Sequence, residues 1–297
     1  MLKTLFATAG TALLLSAGVS VAAAQNAPPP APPPPMVVDK VADDLYVIRG
    51  EGGNITVYIT SEGVVLVDDK FERNYDEVQA KLKSITDRPV KYVINTHPHA
   101  DHTGGNAKLM TGAQVIAHAN ARAAMVKGKQ PGLPQLTYTD QLRINLGGKE
   151  VVAVHFGACH TDGDTFVYFP AVRVVSAGDC FNTGNGQGVN LSGSPTFGFY
   201  IDYATGGTLL GRAKVADAVL KLEFDTVVPG HGPLTNRAGF VRWRNDVTAI
   251  TNRIRTLVRE GKNRDEVAKA MVSEFGWEPG GRTITASLDA MMAEVSR

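Results

Sequence analysis

The apolar positions of this chain come first in short runs and later in one long helical stripe. Residues 45–48, 55–60 and 64–67 are runs of strand length, parted by Gly-Gly and Ser-Glu-Gly turns that suit hairpins, so a meander should open the fold. Residues 74–84 read as a helix with Val78, Ala80, Leu82 and Ile85 turned partly inward, followed by an apolar strand at 92–95. The pattern then alternates. Helices at 105–110 and 119–127 flank a strand at 114–117, and further strands are expected at 141–145, 150–155, 165–169 and 172–176. Neither a clean β-α-β repeat nor an all-β count fits this order, whereas two mixed sheets packed together with helices outside do. After Pro229, Phe240, Trp243, Val247, Ile250, Ile254 and Leu257 recur at steps of three and four, the buried stripe of one long helix. Gly261 can end that helix, and Asn263 with Glu266 three residues on predicts a capping box for the next. The arginines and Lys262 on its polar side read as a solvated face.

The first 35 residues follow neither pattern. Residues 1–24 combine Lys3, an apolar stretch through Leu13-Leu14-Leu15 and the small run Ala22-Ala23-Ala24, the order of a secretory signal peptide. Residues 25–35 hold two proline runs, which favour an extended spacer because proline fixes φ and donates no hydrogen bond. A periplasmic or secreted protein without a stable membrane anchor is expected, with its working domain over residues 36–297 and a helical part from about 236.

Composition narrows the function further. Thirty Lys and Arg against 29 Asp and Glu leave a formal charge of +1, which gives no electrostatic reason to expect nucleic acid as a partner. At 43% hydrophobic and 20% charged residues, a wholly disordered, collagen-like or coiled-coil chain is excluded. A small-molecule substrate is the expectation, and oligomeric state is left open.

The segment that carries chemistry is Thr96-His97-Pro98-His99-Ala100-Asp101-His102, directly after a predicted strand. Side chains of an extended chain alternate, so His97 and His99 project to one side and both imidazoles can reach one ion. A turn would then let Asp101 and His102 address a second ion beside the first.

This motif resembles that of the metallo-β-lactamase superfamily of two-metal hydrolases, and the likeness continues downstream. It extends through His160 in Gly157-Ala158-Cys159-His160, Asp179 in Ser176-Ala177-Gly178-Asp179 and His231 in Pro229-Gly230-His231-Gly232, with Asp68 matching a supporting position. The resemblance implies an α/β fold, a four-layer αββα sandwich with C-terminal helices. It also implies that His97, His99 and His160 hold one metal ion, that Asp101, His102 and His231 hold another, and that Asp179 bridges them. Zinc suits such sites, although iron or manganese could fill them. Five of the seven histidines are absorbed in this way. His155 is expected in the core and His118 in packing.

Two adjacent dications lower the pKa of a bridging water, so the implied reaction is hydrolysis by a metal-bridging hydroxide, with Asp101 relaying a proton. One class of two-zinc β-lactamases has Cys in place of Asp179 and, three residues on, a Lys that holds the antibiotic's carboxylate. Here that position is Asn182. Cleavage of an ester, thioester or lactone is therefore the first expectation, with β-lactam hydrolysis or a non-catalytic metal-containing binding module as alternatives. Phe197, Phe199, Tyr200 and Tyr203 are candidate substrate contacts that could equally pack their loop down. An exported chain allows Cys159 and Cys180 to pair, but side-chain alternation turns both into the core, and two buried free thiols are the favoured expectation.

Overall fold

Alternation along the strands explains the layering. In the computed structural model, which describes residues 35–183 and 199–297, one sheet runs in sequence order from β1 to β7. Its strands are β1 (Val37–Ala42), β2 (Leu45–Arg49), β3 (Ile55–Thr60), β4 (Gly63–Val67), β5 (Val90–Ile94), β6 (Gln114–His118) and β7 (Leu136–Tyr138). The first four form an antiparallel meander. From β4 onward the strands are parallel, because helices intervene: α1 (Tyr75–Ile85), then α2 (Ala100–Thr103) and α3 (Asn106–Leu109), then α4 (Ala119–Lys127).

The second sheet contains β8 (Gln141–Leu146), β9 (Lys149–Val154), β10 (Phe166–Phe169), β11 (Val174–Ser176), β12 (Thr226–Val228) and β13 (Thr235–Asn236), in the spatial order β13-β12-β11-β10-β9-β8. Only β11 and β12 pair in parallel, and α5 (Leu209–Val219) lies between them in the chain. Three helices follow: α6 (Arg237–Arg259), α7 (Arg264–Phe275) and, after a π turn at Thr283–Ser287, α8 (Leu288–Val295).

Three apolar clusters separate four layers. Along β4, Val65 and Val67 meet Ile144, Val151 and Phe169 of the second sheet, while Val64 and Leu66 point the other way and pack with Val78 and Leu82 of α1. On the far side, Phe166, Val175 and Val227 pack with Val215, Trp243, Ile254 and Leu288 from α5, α6 and α8. This is the expected αββα sandwich. The stripe of α6 is buried at all six expected positions, and the capping box of Asn263 and Glu266 is formed.

Several local expectations change. Ala80 is exposed on α1 rather than inward. The strand expected at 172–176 is shorter, because Pro170–Val172 forms a 3-10 turn and Arg173 takes φ of 53°, so extended chain resumes only at Val174. Helix α5 went unread because Arg212 interrupts its inward face of Leu209, Val215, Ala216 and Val219. The export signal, the spacer up to Pro34 and Phe197 lie outside the described residues.

Candidate metal centre

All the ligand-type residues follow strand ends at one edge of the two sheets, Asp101 and His102 on the short helix α2 and the others in the connecting turns. Strand β5 ends at Ile94, and Asn95 anchors the turn beyond it: its amide nitrogen donates to the His102 and Asn106 oxygens. Gln130 holds the turn from outside through its Nε2, 2.7 Å from the Pro98 carbonyl. His160 begins a turn closed by the buried Asp164, which accepts from the backbone of His160 and Thr161. Asp179 follows β11 and His231 follows β12, so the second sheet supplies three of the seven side chains.

In the first group, His99 Nδ1 lies 3.2 Å from His97 Nε2 and 3.1 Å from His160 Nε2. The outer nitrogens of these rings are committed elsewhere. The His160 Nδ1 donates to the Tyr200 carbonyl (3.1 Å), and His99 Nε2 donates to Asp202 Oδ2 (2.9 Å). Thr96 gives its hydroxyl proton to Asp68 (2.7 Å), so it accepts from His97 Nδ1 (3.0 Å). Each ring therefore turns a lone pair inward. Burial drives His97 well below, and His160 down to about 3, so protons do not resolve the convergence. A cation among the three nitrogens does, which is the fit expected of a metal site.

In the second group, His102 Nδ1 donates to Asp68 Oδ2 at 2.7 Å and its Nε2 faces His231 Nε2 at 3.2 Å. Asp101 Oδ2 stands 3.1 Å from His231 Nε2. Asp179 Oδ1 is 3.2 Å from His102 Nε2 and 3.4 Å from His231 Nε2, yet it is buried without a well-formed hydrogen bond. Burial opposes protonation of His231, but Asp179 and Asp101 outweigh it and push the ring up to about 9. A second cation would meet the same carboxylates in place of those protons. Because Asp179 Oδ2 also lies 3.9 Å from His160 Nε2, this one carboxylate reaches both groups.

Glycine is needed where backbone crowds the ligands. A Cβ on Gly53 would fall 2.2 Å from His102 Cε1, and one on Gly230 would fall 2.0 Å from Asp179 Oδ1. Gly53 also donates to the Asp101 carbonyl, and buried Lys70 donates to the Gly53 carbonyl at 2.6 Å. Gly53→Ala is thus expected to lower metal affinity at least about 10-fold, as displacement of a ligand's support does. Competition with a chromogenic chelator reads this, and unchanged affinity would refute the close-packing argument.

The family model for the metallo-beta-lactamase superfamily matches residues 48–231, which spans every one of these ligand-type side chains. The chain belongs to the metallo-beta-lactamase superfamily. Among solved structures, a metallo-beta-lactamase from Pontibacter korlensis superposes with a TM-score of 0.61 at 20% identity, covering 72% of this chain and 99% of that one. The DIM-1 metallo-beta-lactamase superposes equally, at 0.61 and 16% identity, over 73% of this chain and 99% of its own. These likenesses establish the fold. Among curated proteins, the alpha subunit of a 2,4-dinitroanisole O-demethylase from Nocardioides sp. (strain JS1661) is 28% identical over 148 residues, which are 48% of this chain and 41% of that protein. The superfamily fold usually binds metal ions, and the candidate ligands are in place for it.

Other expectations fare unevenly. Asp68 stands behind both groups, holding Thr96 and His102. Tyr200 lies beside the ligands, its ring centroid 5.4 Å from that of His160. Phe199 and Tyr203 do not: Phe199 is buried against Trp277, and the Tyr203 hydroxyl donates to Glu294 at 2.6 Å. His118 packs as expected, capping α4 and donating to the Thr139 carbonyl. His155 is only half-buried, because it stacks on His118 at the rim with its Nδ1 donating to the Asp164 carbonyl. The two cysteines are not free thiols. Alternation does turn them away from the ligands, but the turns bring their Cα atoms to 5.6 Å and the pair forms a disulfide.

The sequence reading missed Thr96, Asp202 and the Tyr200 carbonyl, the groups that fix ring orientation. Asp202 left a signal, a lone carboxylate between Ile201 and Tyr203. It missed, too, that the C-terminal segment braces this stretch. Ser287 exchanges hydrogen bonds with the backbone of Ile201, and Glu294 accepts from Tyr203 and from the Leu209 and Leu210 amides at the start of α5. A carboxylate at a helix N-terminus is stabilising, so Glu294→Ala should cost about 1 to 3 kcal/mol. A urea unfolding curve matching that of the parent protein would contradict the bracing role.

Proposed function

We propose that this protein is an exported metal-dependent hydrolase that carries two ions, most suitably zinc, and cleaves an ester, thioester or lactone. The observation behind this reading is the pair of ligand groups that share Asp179, with the outer ring nitrogens of His97, His99, His160 and His102 already committed. His97, His99 and His160 would hold one ion, and Asp101, His102 and His231 the other. Bound ions of this kind polarise a carbonyl and lower the pKa of water toward neutrality. The chain's own groups do the rest. Asp202, Thr96 and the Tyr200 carbonyl keep the first three rings in one tautomer, and Asp68 does so for His102. Asp101 is held as a carboxylate at about 2, because His231 overcomes the effect of burial. On this reading Asp101 would take up a proton and pass it to the leaving group.

Asn182 supports esters, thioesters and lactones ahead of β-lactams, since its Oδ1 accepts from the His231 amide at 2.8 Å and this position supplies no cation. The demethylase relative supports a second reading, scission of an aryl methyl ether. The test is a panel of an ester, a thioester, a lactone, a cephalosporin and 2,4-dinitroanisole, assayed on metal-loaded protein with and without a chelator. Chelator-sensitive turnover highest among the first three is expected. Turnover confined to the cephalosporin or the anisole would overturn the reading.

A further inference from the structure

Position 182 carries no cation, but the C-terminal segment brings an arginine close to the ring of Tyr200. Arg282, just before the π turn that precedes α8, places its guanidinium carbon 3.8 Å from the centroid of the Tyr200 ring. That ring is in turn stacked 6.4 Å from the ring of His99 and lies 5.4 Å from that of His160. Arg282 is exposed, and no Asp or Glu of the described residues pairs with it. Residues 1–34 and 184–198 contain no Asp or Glu at all, so they bring no counter-ion either. The nearby acids are engaged: Asp202 by His99 and Asp101 by His231.

An arginine kept beside a reactive centre, set over an aromatic ring whose hydroxyl takes one of its donors and given no acidic partner, has further N–H groups to offer an anion. We propose that Arg282 is a specificity-determining residue that recognises a carboxylate on the substrate, so that the preferred substrates of this site are monoanionic acyl compounds. The C-terminal segment thus contributes more than bracing. Trp277, Ser287 and Glu294 fix the stretch around Tyr200, and Arg282 uses the Tyr200 ring as a platform. The substrate class rests on the hydrolase reading above, while the binding of a carboxylate by Arg282 does not.

Two measurements separate these. On metal-loaded protein, kcat/KM is compared for the mono-4-nitrophenyl ester of glutaric acid and for 4-nitrophenyl valerate, its uncharged counterpart. The parent should prefer the anionic ester, and Arg282→Gln should lower the anionic-to-neutral ratio about tenfold or more, with Arg282→Lys restoring part of it. Calorimetric titration with glutarate and with glutaramide then reads binding directly. Arg282→Gln should weaken glutarate about tenfold and leave the difference for glutaramide small. If the ratio and the glutarate affinity are the same in Arg282→Gln as in the parent, the proposal is wrong. If the parent cleaves neither ester, the hydrolase reading fails, and the glutarate titration alone still decides the role of Arg282.

Discussion

Asp179→Ala should strip the protein of at least one ion and lower its chelator-sensitive activity by more than about 100-fold, the upper range for losing a mere supporting partner. Asp179 is the one carboxylate within 4 Å of rings in both groups, through Oδ1 to His102 and His231 and through Oδ2 to His160. Without it, two bound cations would lose the carboxylate that would screen one from the other. Asp101→Ala makes the useful contrast, since Asp101 stands 3.1 Å from His231 and 3.6 Å from His102, both in the second group. It should cost the second ion and spare the first. Elemental analysis of both variants after gel filtration, beside the activity, distinguishes them. A full complement of metal in Asp179→Ala would remove the bridging role.

Removal of the disulfide is expected to have the next largest effect. Cys159 precedes His160 and Cys180 follows Asp179, so the bond ties together the two turns that carry these residues, across a separation of 21 in sequence. A closed loop of that size stabilises by about 3 kcal/mol, and both sulfurs are buried, so substitution also leaves an imperfectly filled core. The double variant Cys159→Ala, Cys180→Ala should unfold at distinctly lower urea and release metal faster. The parent in strong reductant should follow it once unfolding exposes the bond. Equal midpoints for parent and variant, with and without reductant, would show that the bond contributes little.

How much of this was legible in sequence depended on whether a feature was local. The ligand residues were, because His97, His99, Asp101 and His102 fall within six positions and the turns at His160 and His231 have their own short signatures. The sandwich was largely legible too, through strands long enough to alternate. Strands β7, β12 and β13 have only two or three residues and exist because a neighbour pairs with them, so no periodicity announces them. Orientation of the rings was legible only at Asp68, which the resemblance marked as a supporting residue, since the Tyr200 carbonyl is a backbone group that any residue would carry. The stretch 199–203 offered three aromatic side chains that composition could not sort, and packing sorted them: Phe199 onto Trp277, Tyr203 onto Glu294, and Tyr200 toward the ligands. For the cysteines, alternation gave the direction of each thiol, but not the distance between two turns.

The contribution of ligands from both sheets also sets the order of assembly. His97 and His99 leave the first sheet after β5 and His160 belongs to the second. Asp101 and His102 likewise depend on His231, more than a hundred positions later. Neither cluster exists until the sheets have docked, because its members lie far apart in sequence. The rings, moreover, are already oriented by Thr96, Asp202, Asp68 and a backbone carbonyl, none of which needs a cation to form its hydrogen bond. On the proposed reading the chain would fold first and receive metal afterwards, as cargo into a finished socket, and exchange of that cargo would follow movement of the segments at the sheet edge rather than unfolding of the sandwich beneath them.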